Sequence, residues 1–383
     1  MPEFLAKTMH GLEPVLADEL RALGAEGIRP LKRAVAFTGD KKMLYKANYE
    51  LRTALRILVP VHSFPAYNER NLYSGVREID WSRYLSVRHT LAVDAVTQGE
   101  TFRHSHYAAL TVKDAIVDQF RDRHGRRPDV NTAAPDVKVH LHIQGTHCDL
   151  LLDASGESLH KRGYRRDTVE APLSEVLAAG MVLSTGWNGR GAFVDPMCGS
   201  GTIAIEAAMI ALQMPAQHKR PSFGFFRWPD FEEKTWRAVK KEADERTQAA
   251  FEWPILASDK DTRARNATAV NVLSAGLEQH VRVEKMPFEK GTPPEPFGVL
   301  VTNPPYDERL KMEAIAQFYE DIGHRLKQYW SGWDAWLISS NREALKHVGL
   351  RPSRRITLFN GALECSFQKF ELYEGSRRKS EGE

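Results

Sequence analysis

Short apolar runs alternate with amphipathic stretches from the first residues onward. Apolar spacing predicts a strand over residues 3–6, a helix over 12–23, strands over 28–31 and 34–38, and a helix over 41–51. That order describes a small α+β module, placed at residues 1–60. The pattern continues with a helix over 71–79, a strand over 90–95, a helix over 107–121, and strands over 138–143 and 148–153 joined by the turn Gln144-Gly145-Thr146-His147. These elements make a second α+β region over 61–155, followed by a polar, basic, glycine-containing stretch read as a linker over 156–170.

From residue 171 the alternation becomes strand–helix–strand, the signature of a mostly parallel sheet. Strands are expected over 192–195, 254–259, 281–284, 298–302 and 335–339, with a helix over 202–212. The pair over 355–359 and 364–373 is separated by Asn360-Gly361, a strong hairpin signal. The fold class expected is α/β: a Rossmann-like domain over 171–374, preceded by α+β modules and followed by a disordered tail over 375–383.

Composition narrows the class without naming the function. The 383 residues are 42% hydrophobic and 27% charged, ordinary for a globular chain long enough for two or three domains. No apolar run approaches the roughly 18 residues that cross a bilayer, and the start lacks a signal-peptide pattern. Cys148, Cys198 and Cys365 are far apart and form no C-x-x-C pair, which argues against a disulfide framework or a thiolate metal site. A cytoplasmic setting is expected. Net charge is only +3, so any affinity for nucleic acid has to come from local clusters.

Two motifs carry the chemistry. Asp195-Pro196-Met197-Cys198-Gly199-Ser200-Gly201-Thr202 runs from a strand end into a helix, where an open α/β sheet binds its ligand. No lysine follows the second glycine, which excludes a P-loop. The next strand-ending carboxylate, Asp259, lies much further on than the roughly twenty residues of a nicotinamide-binding fold. The turn therefore reads as a site for S-adenosyl-L-methionine, with Asp195 to Thr202, Asp259 and Lys260 as cofactor-binding residues and Asp259 taking the ribose hydroxyls. The second motif, Asn303-Pro304-Pro305-Tyr306, ends the strand over 298–302. A planar exocyclic amine is a poor nucleophile until acceptors hold its hydrogens. The Asn303 side-chain oxygen and the Pro304 carbonyl supply two acceptors, and Tyr306 supplies a ring to stack the base. Asn303, Pro304, Pro305 and Tyr306 are the catalytic candidates of an amino-group methyltransferase, a chemistry that asks for no metal.

Other clusters have bland readings beside sharp ones. Cys198 lacks a partner motif for nucleophilic work and reads as a small side chain packed beside the cofactor. His140 and His142 share one strand face near His147 and Cys148, which resembles metal ligation but suits solvent-facing strand histidines better. Phe223, Phe225, Phe226, Trp228 and Phe231 could stack bases or cap a core, and the sequence favours neither.

With these motifs in order, the chain resembles the N-terminal, guanine-N2-methylating (RlmL) half of the bifunctional 23S rRNA methyltransferases, and more broadly the THUMP-domain methyltransferases. The resemblance rests on His10-Gly11-Leu12-Glu13-Pro14, Val112 to Val117, Leu159-His160-Lys161-Arg162-Gly163-Tyr164-Arg165, Ala171-Pro172-Leu173 with Leu177 to Ala179, Asp195 to Thr202, Ser258-Asp259 and Asn303 to Leu310. It implies a ferredoxin-like module over 1–60, a THUMP RNA-binding domain over 61–155 and a class I methyltransferase domain with a seven-stranded sheet over 171–374. It also implies N2-methylguanosine in 23S rRNA or a large-subunit precursor as the product. Arg103, Lys113, Arg121, Arg123, Arg126 and Arg127 concentrate charge around one helix and its following loop, and are the RNA-binding candidates. The chain departs from the family at Glu284-Lys285-Met286-Pro287, where such enzymes usually place an aspartate for the adenine amine. The rival readings are an adenine-N6 methyltransferase of DNA or RNA, a guanine-N2 methyltransferase of tRNA, and an RNA-binding assembly factor with a vestigial site.

Overall fold

The computed structural model describes residues 1–169, 172–305 and 312–374, the last segment without the side chains of Met312 and Glu313. The chain folds into two compact units. The expected tail over 375–383 and the proposed stacking residue Tyr306 lie outside the described residues.

Unit 1 comprises Met1–Thr8, Leu16–Leu159 and Arg220–Glu242. It contains β1 (Glu3–Lys7), most of α1 (Glu13–Leu23), β2 (Glu26–Leu31), β3 (Ala34–Thr38), α2 (Lys41–Glu50), β4 (Arg56–Pro65) and α3 (Glu69–Arg77). These are followed by β5 (Thr90–Gln98), α4 (Ser105–His124), β6 (Asp129–Val130), β7 (Val137–Gln144) and β8 (His147–Asp153). All eight strands join one sheet in the order β2-β3-β1-β4-β8-β7-β5-β6.

The strand β4 was not read in the sequence, and it runs across residue 60, where the sequence reading places the boundary between the two modules. It pairs antiparallel with β1 through Leu58↔Leu5 and with β8 from Leu58↔Asp153 to Pro65↔His147, so the boundary falls inside a strand that both modules share. Its period-2 pattern is blurred by Pro60 and by a register shift between Pro60 and His62. Helix α4 buries Val112, Ile116, Val117 and Phe120 against this sheet at the predicted helical spacing. It ends at Gly125, whose φ of 64° makes the left-handed cap.

Unit 2 comprises Met9–Val15, His160–Lys219 and the chain from Ala243 onward. Its elements are α5 (Glu175–Thr185), β9 (Ala192–Asp195), α6 (Thr202–Ala211), the end of α7 (Glu233–Glu245), β10 (Ile255–Asp259) and α8 (Thr262–Ala275). They continue with β11 (Val281–Lys285), β12 (Gly298–Thr302), α9 (Met312–Tyr329), β13 (Trp333–Ser339), α10 (Arg342–His347), β14 (Arg354–Asn360) and β15 (Leu363–Glu371). The sheet order is β11-β10-β9-β12-β13-β15-β14, parallel as far as β13 and antiparallel through the closing hairpin. This is the expected seven-stranded, mostly parallel sheet. Strand order reverses between β9 and β12, which opens a crevice at their carboxyl ends.

Two segments depart from the expected division. Arg220–Glu242, counted with residues 171–374 in the sequence, packs in unit 1. Its Phe223 and Phe225 are buried and meet Tyr45, Tyr49 and Trp236 at ring separations of 4.5 to 6.5 Å, so these two rings cap a core. The stretch over 156–170 is not a bare linker. Arg162 is fully buried beside Glu206, which also accepts a 3.1 Å hydrogen bond from the Tyr164 hydroxyl.

Candidate active site

The crevice of unit 2 holds a cavity of about 610 Å³ lined from six segments: Val169 and Pro172-Leu173, the turn after β9 with the start of α6, the end of β10 with the start of α8, Phe288-Glu289 after β11, Asn303 to Pro305 after β12, and Phe318 of α9. The sheet brings together what the sequence separates. Asp195 ends β9, Asp259 ends β10 and Asn303 follows β12, so three strand ends converge on one space.

The glycine turn is shaped for a close approach of backbone. Gly199 and Gly201 have φ of 55° and 81°. A Cβ at Gly201 would sit 2.7 Å from Thr268 Cγ2, so nothing larger fits there without moving α8. Four hydrogen bonds hold the loop: Cys198 N–H donates to Ser258 O (3.0 Å), Gly201 N–H to Cys198 O (2.7 Å), Thr268 Oγ1 to Gly199 O (2.9 Å) and Gly199 N–H to Asp259 Oδ2 (3.1 Å). The second Asp259 oxygen accepts from Asp261 N–H at 2.9 Å. Asp259 is thus fixed at both oxygens by backbone while still lining the cavity.

Two polar atoms in the cavity wall are left wanting. Asn303 Oδ1 and Asp195 Oδ1 are buried and make no hydrogen bond among the described residues, although the Thr302 hydroxyl lies close enough to the Asp195 carboxyl to favour its charged form. A buried polar atom without a partner costs stability, so its retention points to a ligand or a chemical role. Burial pushes the Asp195 carboxyl well above its usual pKa, although the Met197 backbone bond acts in the opposite direction; the Asp259 carboxylate adds to the rise.

Cys198 is buried with its Sγ 3.3 Å from Thr268 Oγ1, and burial pushes its thiol pKa up, away from thiolate chemistry. Pro196, Met197, Ser200, Thr202 and Lys260 line the same space, as do Pro304 and Pro305. Phe288 and Glu289 line it too, just beyond Glu284 to Pro287. Sequence reasoning did not single out these two, because their role depends on the turn after β11.

The RNA-binding candidates lie in unit 1, along α4 and just beyond its two ends. Helix α4 has 20 residues, about 30 Å of rise, with Arg103 before its start and Arg126 and Arg127 beyond its end. Arg121 pairs with Asp118 at 2.9 Å, Arg123 with Asp80 at 2.6 Å, and Lys113 with Asp114. Arg103, Arg126 and Arg127 are exposed. His140 Nε2 lies 3.2 Å from Asp153 Oδ2, and among the described residues no group of three His, Cys, Asp or Glu side chains is placed to hold a metal.

Comparison with known proteins supplies the family. The model of the RMKL-like methyltransferase domain matches residues 162–369, that of the RlmL ferredoxin-like domain 3–58, and that of the THUMP domain 66–153. A Synechocystis sp. protein named as an RNA methyltransferase is 39% identical over 97% of both chains. The ribosomal RNA large subunit methyltransferase K/L of Syntrophotalea carbinolica is 40% identical over 97% of this chain, which spans only 54% of that relative's length. The crystal structure of SMU.472, described as a methyltransferase complexed with SAH, covers 98% of this chain and 99% of its own, with a TM-score of 0.89 and 29% identity. The chain therefore belongs to the RMKL-like methyltransferase family, with RlmL ferredoxin-like and THUMP domains ahead of its methyltransferase domain.

Proposed function

We propose that this chain is an S-adenosylmethionine-dependent RNA methyltransferase that forms N2-methylguanosine in 23S rRNA, acting in the cytoplasm. The observation that carries the reading is the buried Asn303 Oδ1, without a hydrogen-bond partner among the described residues and set beside Pro304 in the cavity that also contains the glycine turn. An acceptor held ready at no hydrogen-bonding gain to the free protein suits an amine that arrives with the substrate.

Cofactor and residues fit. When bound, S-adenosylmethionine supplies a methyl group on a positively charged sulfur. The turn Asp195 to Thr202 gives backbone access without side-chain obstruction at Gly199 and Gly201, and Asp259 presents fixed carboxylate oxygens for hydroxyl groups. Asn303 Oδ1 and the Pro304 carbonyl accept the two hydrogens of the guanine amine and fix its lone-pair direction, and Tyr306 stacks on the ring. Positioning of this kind carries most of the rate when the electrophile is already reactive. A base within a helix must leave its stack to reach such a site. Unit 1, with the THUMP domain, supplies RNA affinity through Arg103, Lys113, Arg121, Arg123, Arg126 and Arg127.

Support for ribosomal RNA comes from the relatives named for the large subunit, and the RNA-binding domains disfavour a DNA adenine methyltransferase. The test is transfer of labelled methyl groups to large-subunit rRNA, small-subunit rRNA, tRNA and duplex DNA, each from cells lacking this protein. Label is expected in large-subunit rRNA alone; label in tRNA or duplex DNA overturns the assignment.

A further inference from the structure

The strongest unassigned arrangement beside the cavity is a single guanidinium in the segment first read as a linker. Arg165 donates from Nε to Glu175 Oε1 (2.9 Å), from Nη1 to Ser200 Oγ (3.1 Å), and from Nη2 to both Leu173 O (2.9 Å) and Thr202 Oγ1 (3.2 Å). Ser200 and Thr202 are 4% and 3% exposed, and both line the cavity with Leu173. Glu175, at the start of α5, is 5% exposed and holds the guanidinium in place.

The chemistry of a hydroxyl gives this geometry a direction. An oxygen that accepts from a guanidinium must turn its own hydrogen elsewhere, and the nearby positive charge makes that hydrogen a better donor. Ser200 and Thr202 are therefore two polarised donors in the cavity wall. The same wall carries the Asp259 carboxylate, which attracts an ammonium group and repels a carboxylate. An amino-acid zwitterion placed here needs a compensating positive field on the Ser200 side.

We propose that Arg165 is a positioning residue that aims the Ser200 and Thr202 hydroxyls at the carboxylate of the cofactor's amino-acid end. The proposal rests on the reading of the cavity as a site for S-adenosylmethionine. Lys260 and Arg263 also line the cavity, but both side chains are exposed, where water competes for any anion.

The test uses two ligands that share the thioadenosine half: S-adenosylhomocysteine, which has the amino-acid end, and 5′-methylthioadenosine, which lacks it. Calorimetric titration of the full chain with Arg165→Met, Arg165→Lys and Thr202→Val gives affinities, and thermal melting reports folding. Arg165→Met is expected to weaken S-adenosylhomocysteine at least tenfold and methylthioadenosine less than twofold; Arg165→Lys, which keeps the charge but not the fork, lies between. Thr202→Val is expected to show the same selectivity, which covers the case in which Arg165→Met fails to fold. Arg263→Ala is expected to leave the ratio of the two affinities unchanged. Equal weakening of both ligands, or of neither, overturns the proposal, as does a change of ratio found only with Arg263→Ala. Failure of the unaltered protein to bind S-adenosylhomocysteine instead overturns the reading of the cavity.

Discussion

Asn303 and Asp195 illustrate how a residue can be legible by type while its situation is not. The sequence marks both by their place at strand ends. Only the fold shows that each keeps a buried oxygen without a partner among the described residues. Their roles separate by experiment. Asn303→Ala is expected to abolish methyl transfer with S-adenosylhomocysteine affinity nearly intact, whereas Asp259→Ala is expected to weaken that affinity by about 1.5–3 kcal/mol, the range for charge-assisted hydrogen bonds. Equal loss of affinity in both variants would contradict the division.

For Asp195 the pKa in the folded chain lies above its unfolded value, so the folded state holds the proton between the two values. Stability is lost as pH rises through that interval. Asp195→Asn is accordingly expected to raise the melting temperature of the cofactor-free protein at neutral pH, to flatten its pH dependence above the ordinary carboxylate range, and to weaken cofactor binding. A lower melting temperature with the pH profile unchanged would count against this. The partners of Arg165 were hidden for a different reason: the sequence shows it only as the last residue of the Leu159 to Arg165 segment, and its four bonds depend on the turn after β9, α5 and α6 meeting in space.

At the level of elements, the parallel strands were the most readable. Strands β9 and β12 fall where the apolar runs place them, because strands buried on both faces are continuous and bounded by turn residues. Strand β4 was missed because Pro60 interrupts it and its buried and exposed positions along Arg56–Pro65 do not alternate cleanly. The aromatic segment after Arg220 could not be assigned from sequence, since a ring cluster looks the same whether it meets a base or a core. With Phe225 1% exposed and packed on Tyr45 at 4.5 Å, Phe225→Ala is expected to cost about 3–5 kcal/mol of unit 1 stability in denaturant unfolding. A cost below about 1 kcal/mol would mean that the cluster is not a core.

On the scale of the whole molecule, the chain threads its two units in a way that no linear domain map expresses. The sequence suggests that residues from about 160 to 373 fold alone. Unit 2, however, takes in Met9–Val15 as well. Leu12 is fully buried against Gly180, where a Cβ would lie 2.5 Å from Leu12 Cδ2, and Gly11 packs on Thr357. A 160–373 fragment lacks these residues and also strips Phe223 and Phe225 of their Tyr45 and Tyr49 partners. It is expected to melt well below the corresponding transition of the full chain and to aggregate on heating. Melting at the same temperature would show that the N-terminal segment contributes nothing to unit 2.

Asn303 and Pro304 can accept hydrogens from guanine N2 or adenine N6 alike, so the identity of the methylated atom decides between the two bases. Guanine adds an O6 acceptor and an N1–H donor, so a guanine-specific pocket leaves buried groups unmatched when adenine enters. The most direct measurement is mass spectrometry of nucleosides from large-subunit rRNA, taken from cells lacking this protein and incubated with the full chain and isotopically labelled S-adenosylmethionine. N2-methylguanosine is expected as the sole labelled nucleoside; labelled N6-methyladenosine, or no labelled nucleoside from a chain that binds the cofactor, would contradict the account.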